Sequence, residues 1–151
     1  SERQLRTEIE TMPGWKRVSD HGFLSRAGVG DVLARSVAGL VTFLPEPNHI
    51  EAQPNKMFEY MSAGLPVIAS HFRLWREIIE GNDCGLCVDP CDPATIAAAI
   101  DHLVDNPDVA RRMGENGRRV VMERYNWPIE ERKLLALYSG FARERRQRAG
   151  V

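Results

Sequence analysis

Apolar and polar positions follow two rhythms along this chain. From Glu2 to Met12, Leu5 and Ile9 stand four apart among charged residues, the spacing of one helix face. Pro13 and Gly14 end that helix. The next stretch, WKRVSDHGFLS, has weak periodicity, and Val18, Phe23 and Leu24 predict a short strand. GVGDVLARS predicts a short helix carrying Val32 and Leu33. GLVTFLP is a continuous, partly β-branched run closed by Pro45, which predicts a buried strand. A loop, EPNHIEAQ, leads into the helix PNKMFEYMSA, whose first turn accommodates Pro54 because its missing N–H costs nothing there. Gly64 and Pro66 stop that helix, and LPVIAS is an apolar strand. HFRLWREIIEG then reads as an amphipathic helix with Leu74, Ile78 and Ile79 inward and Gly81 as its stop.

GLCVDP predicts a last short strand. Asp92 and Pro93 form a cap-plus-proline helix start. The helix that follows puts Ile96, Ile100, Leu103 and Val104 on one side. Asn106–Pro107–Asp108 breaks it and starts another, ending near Tyr125. A final helix from Trp127 to about Arg146 is amphipathic through Ile129, Leu134, Leu137 and Phe141. Strands alternate with helices, and the best strands are apolar on both faces. This is the pattern of a parallel sheet with helices on both sides, an α/β fold. In such sheets ligands bind beyond the carboxyl ends of the strands, at helix N-termini. The loop from Glu46 to Gln53 lies at such an end.

Length and composition narrow the function classes. The chain has 151 residues, enough for one domain with a sizeable core, and 43% of them are apolar. A formal net charge of -1 provides no basic field for nucleic acid. No apolar run approaches the roughly 20 residues that span a bilayer. The charged start SERQLRTEIE lacks the apolar segment of a signal peptide, so a cytoplasmic location is expected, and three cysteines without an obvious pairing agree with a reducing compartment.

The stretch His49–Ser70, HIEAQPNKMFEYMSAGLPVIAS, holds the chemistry. Glu51 falls in the loop and Glu59 eight positions later in the helix, with Asn55 and Lys56 between them. The bland reading is a solvated stripe of Asn55, Glu59 and Ser62 opposite Met57, Phe58 and Met61. It adds a Lys56–Glu59 surface pair that contributes at most about 0.5 kcal/mol.

The segment Glu51–Ser70 resembles the Glu-x7-Glu motif of family 4 glycosyltransferases, enzymes of two facing Rossmann-like domains (the GT-B fold). GLCVDPCDPATIAAAIDHLVDN and RRMGENGRRVVMERYNW are similar to the family's following segments, in the right order, over about 120 residues from Val18. The resemblance implies that Glu51 contacts the donor sugar and that Glu59 accepts the ribose hydroxyls of a nucleotide-sugar. The helix start with Asn55 and Lys56 would face the diphosphate, and Gly22, Phe23 and Leu24 would form a base-reading loop. It implies a retaining, metal-independent transferase with no cofactor beyond a UDP- or GDP-type sugar donor, and PNKMFEYMSAGLPVIAS resembles the form of the motif in a bacterial subgroup that builds surface polysaccharides.

Two departures qualify the resemblance. The glycine-rich loop of many members is replaced by Ala52, Gln53 and Pro54, and Pro54 has no N–H to give. The family's first strand–helix–strand unit and its acceptor domain have no counterpart. Residues 1–151 therefore read as a truncated C-terminal donor domain, a Rossmann-like sheet lacking its first unit, with 127–151 as a terminal helix and basic tail. Such a piece is expected to be inactive alone. Its incomplete sheet is expected to close differently, as by pairing with another copy. The alternative is a non-catalytic nucleotide-sugar-binding or assembly module that works with a partner chain. An epimerase of the same general fold fits the paired motifs less well.

Other features carry less. Cys84, Cys87 and Cys91 have metal-like spacing but no adjacent fourth ligand, so no metal site is expected. His49 is the most interesting histidine by its loop position. Trp75 and Trp127 read as packing residues. The arginines from Arg143 to Arg148 offer a peripheral contact to an anionic membrane surface, against the plainer reading of a solvated tail.

Overall fold

The structure, a computed structural model, describes residues 2–148. It divides into two compact units, Ser1–Asp31 and Val32–Val151. In the first, helix α1 (Glu2–Thr11) carries Leu5 and Ile9, both exposed. A single 3-10 turn, Pro13–Arg17, follows. The strand expected at Val18–Leu24 does not form. A local turn replaces it: Asp20 Oδ1 accepts the Gly22 N–H at 2.9 Å, and Gly22 takes a φ of 59°. A side chain that bonds the backbone two residues on competes with a strand ladder, and a left-handed residue ends the extended run. The Gly22 N–H, and after it Arg6, hold the Asp20 carboxyl below its ordinary value. Helix α2 (Arg26–Leu33) starts in this unit and includes Val32 and Leu33 as expected.

The second unit runs in the order β1 (Gly39–Val41), α3 (Pro47–Ile50), α4 (Asn55–Ala63), β2 (Val67–Ser70), α5 (Arg73–Ile79), β3 (Gly85–Val88), α6 (Pro93–Asp105), α7 (Pro107–Arg124) and α8 (Trp127–Arg148). The three strands form one parallel sheet with β2 in the middle, Val67 level with Gly39 on one side and Gly85 on the other. Alternation along β2 explains why its sequence is apolar throughout. Val67 and Ala69 face a core with Met57, Met61, Trp75 and Ile79, whereas Ile68 faces a second core with Ala99, Leu103 and Met113. Helices α4 and α5 cover one face, α6 covers the other, and α7 contributes to both. The expected α/β architecture is therefore the observed one.

Several boundaries move. β1 has three residues, not the seven of GLVTFLP, and Leu40 on it is 42% exposed. Among the described residues it is an edge strand, paired on one side only. Helix α5 does not stop at Gly81. It passes into a 3-10 turn, Glu80–Asn82, and the left-handed residue is Asp83 at φ 48°. Asp tolerates that conformation, and Arg112 and Asn116 bond its side chain. On α6 the inward pair is Ala99 and Leu103, while Ile100 and Val104 are exposed. On α8, Leu134, Leu137 and Phe141 are exposed, as are Leu135 and Tyr138, so no single inward apolar face forms there.

Helix α8 extends to Arg148, and residues 149–151 of the basic tail lie outside the described residues. The side chains of Arg143, Arg146 and Arg148 also lie outside them, and with them the expected membrane contact. Among the described residues no helix is long and apolar enough to cross a membrane. Because the strands are parallel, the segments leaving Val41, Ser70 and Val88 emerge at one rim of the sheet.

Candidate functional site

The chain leaves β1 through Thr42 and Phe43, and the Ser70 hydroxyl donates to the Phe43 carbonyl at 2.6 Å. Glu46 to Gln53 is not a plain loop: Pro47–Ile50 makes one helical turn, α3, opened by Pro47. Proline fits such a first position because its φ is already helical. Glu51 sits immediately after this turn with its side chain exposed. Pro54 precedes the first helical residue of α4 instead of occupying it. Gly64, at φ 77°, closes α4 as the glycine stop predicts.

Lys56 does not pair with Glu59. Its Nζ lies 4.5 Å from the centre of the Phe43 ring, a cation–π contact. The same ring meets His49 at 4.9 Å and Trp75 at 5.7 Å between centroids. Lys56 is therefore held against the residue by which the chain leaves β1. Asn55 and Glu59 lie elsewhere: with Ser62 they line a cleft of about 430 Å³ whose far wall is the α7–α8 junction. Phe58 and Tyr125, 5.0 Å apart, form apolar wall, and Trp127, 67% exposed, and Glu130 complete the lip. Next to Glu59, burial first and the carboxylate second push the Tyr60 phenol up, so it stays protonated.

The structure thus brings Asn55 and Glu59 together and leaves Glu51 and Lys56 outside that cleft's lining. Gly22, Phe23 and Leu24 lie in the first unit, on the turn made by Asp20, with Phe23 fully exposed. The cleft's far wall escaped the sequence reading. Its signal was the helix break at Tyr125–Asn126, which brings aromatic and acidic residues together at one corner. Among the described residues no three His, Cys, Asp or Glu side chains are grouped to hold a metal ion.

Comparison with known proteins decides the family. The model of "Glycosyl transferases group 1" matches residues 1–120. The chain belongs to the group 1 glycosyltransferases. Similar glycosyltransferases include the MMP alpha-(1->4)-mannosyltransferase of Mycolicibacterium hassiacum, 32% identical over 81 residues, covering 53% of this chain and 20% of that protein. The alpha-D-kanosaminyltransferase of Streptomyces kanamyceticus is 25% identical over 137 residues, 88% of this chain and 34% of its own length. A capsular polysaccharide biosynthesis glycosyltransferase of Staphylococcus aureus is 25% identical over 132 residues, covering 83% and 34%.

Among solved structures, sucrose-phosphate synthase from Thermosynechococcus elongatus superposes with a TM-score of 0.80 at 24% identity, covering 94% of this chain and 34% of that one. That likeness establishes the Rossmann-like fold of this glycosyltransferase chain. The chain spans about a fifth to a third of the length of these relatives.

Proposed function

We propose that this chain is the donor-binding domain of a glycosyltransferase that moves a sugar from a UDP- or GDP-type nucleotide-sugar to an acceptor, in bacterial surface-polysaccharide synthesis. The observation that carries the reading is Glu59, which with Asn55 opens into an aromatic-walled cleft of about 430 Å³ beside the start of α4. A carboxylate accepts two hydroxyls at once, the geometry of a ribose diol. Each such charge-assisted bond is worth about 1.5–3 kcal/mol. Glu51, exposed at the strand rim, is placed in this reading against the donor sugar, where it orients the sugar and stabilises it as the bond breaks. Lys56 and the N–H groups opening α4 face the diphosphate, as a point charge and a partial positive charge.

The family membership also supports transfer with retention of anomeric configuration and without a bound metal, in the cleft between this domain and an acceptor domain. In this reading the 151-residue piece binds donor but does not turn over.

Calorimetric titration of UDP-glucose and GDP-mannose into the complete polypeptide that the gene encodes tests the proposal. One of the two should bind in the millimolar to micromolar range, about 4–8 kcal/mol. Glu59→Ala should weaken it by at least about 100-fold, two bonds at the low end of their range. Unchanged affinity in Glu59→Ala removes the ribose role, and failure of both donors to bind removes the donor-domain reading. The anomeric configuration of the product and insensitivity to EDTA check the remaining chemistry.

A further inference from the structure

The segment that carries Glu51 contains no glycine between Leu44 and Asn55, and three prolines, Pro45, Pro47 and Pro54, stiffen it. Its main-chain carbonyls are gripped by side chains. The Ser70 hydroxyl donates to Phe43 O at 2.6 Å, and the Trp75 indole N–H donates to Ala52 O at 2.6 Å. His49 Nδ1 lies 3.0 Å from Leu44 O. A carbonyl only accepts, so this nitrogen carries the proton.

Two of the three donors are immobilised by the core. Ser70 ends β2 and Trp75 lies on α5, and neither has exposed surface. Trp75 packs at 4.8 Å on Phe72 and at 5.7 Å on Phe43. Ala52, the residue after Glu51, is held at both ends of its backbone. Its N–H bonds His49 O at 3.1 Å, and its carbonyl takes the indole N–H. Glu51 is therefore fixed between the turn of α3 and an anchored peptide.

We infer that Trp75, assisted by Ser70, is a positioning residue for Glu51: the indole N–H on Ala52 O sets the carboxylate against the donor sugar. This rests on the reading of Glu51 as the sugar contact. Trp75 is wholly buried and touches no substrate. Its effect runs through the backbone of Ala52. A carboxylate carried on a backbone held in one place before the ligand arrives has less freedom to lose on binding, so releasing that backbone weakens the interactions that carboxylate makes.

The test separates positioning from general stability. Binding of UDP-glucose and UDP, and of GDP-mannose and GDP, is measured on the complete polypeptide, using the pair that binds tighter. Trp75→Phe keeps an aromatic ring and loses the N–H. It should weaken the sugar nucleotide about tenfold, one hydrogen bond's worth, and leave the matching diphosphate within about twofold. In a Glu51→Ala background Trp75→Phe should have no further effect on the sugar nucleotide.

Equal weakening of both ligands, or a full effect in the Glu51→Ala background, overturns the inference. If Glu51→Ala itself leaves the difference between sugar nucleotide and diphosphate intact, the sugar role of Glu51 falls, and the positioning role with it. Should Trp75→Phe fail to fold, the benzothiophene analogue of tryptophan at Trp75, which keeps the two-ring shape and lacks the N–H, carries the same expected sugar-selective loss. Its absence there counts against the proposal equally.

Discussion

A thiol reacts through its ionised form, and two of the three cysteines are held back from it. Burial first and Asp83 second push the Cys84 thiol up from 9.0 to about 11. Burial first and Glu80 second push Cys87 to about 12. Cys91 is exposed on the turn after β3. Native protein at pH 8 should therefore show one fast thiol towards an aromatic disulfide reagent, and Cys91→Ser should abolish that phase. The buried Cys84 and half-buried Cys87 thiols both have folded values above their unfolded ones. Their stabilising contribution is whole below about pH 9 and is lost as pH rises towards 11 and 12. Chemical denaturation at pH 8 and pH 10 should show the lower stability at pH 10, less so in Cys84→Ala and Cys87→Ala measured against their own pH 8 values.

Some residue roles were readable in advance. Asp92 caps α6 by accepting the Ala94 N–H at 2.9 Å, because its place before a proline leaves it little else to do. Lys56 was not readable. Its partner is Phe43, thirteen positions back, and only the fold brings the ring to it.

At the scale of elements, α7 lies against the end of α4 without space between them. A Cβ built on Gly114 would stand 1.9 Å from the Gly64 carbonyl oxygen, so the helices meet there with no room for a methyl group. Gly114→Ala should destabilise the protein by about 1–3 kcal/mol or more, read from its denaturant midpoint, and should loosen the wall of the Glu59 cleft. The longer elements were legible because their pattern repeats: α4, α6 and α7 each run for two turns or more.

The misread elements are short or unpartnered. Val18–Leu24 has three apolar residues and an Asp-x-Gly turn among them, and the turn prevails. β1 is shorter than its apolar run because Phe43 leaves the sheet to serve His49, Lys56 and Trp75. The apolar residues of α8 suggested a face, but Leu135 and Tyr138 spread them around the helix, and Leu134, Leu137 and Phe141 are exposed with them.

At the scale of the whole molecule, the outer edge of β1 pairs with no strand among the described residues. Val37, Leu40, Ile100 and Val104 line an apolar groove of about 240 Å³ beside it. An unpaired edge next to exposed apolar side chains favours association. Light scattering across a concentration series should show self-association of the 151-residue chain, reduced by Leu40→Lys. A mass that stays monomeric throughout removes the idea. The three tryptophans occupy three different surroundings: Trp15 half-buried, Trp75 sealed in the core, and Trp127 at the lip of the Glu59 cleft. The protein thus carries built-in optical reporters. In a Trp15→Phe background, emission reachable by a soluble quencher follows the state of the cleft, while the shielded, shorter-wavelength component follows the brace on Ala52, and one spectrum reads both.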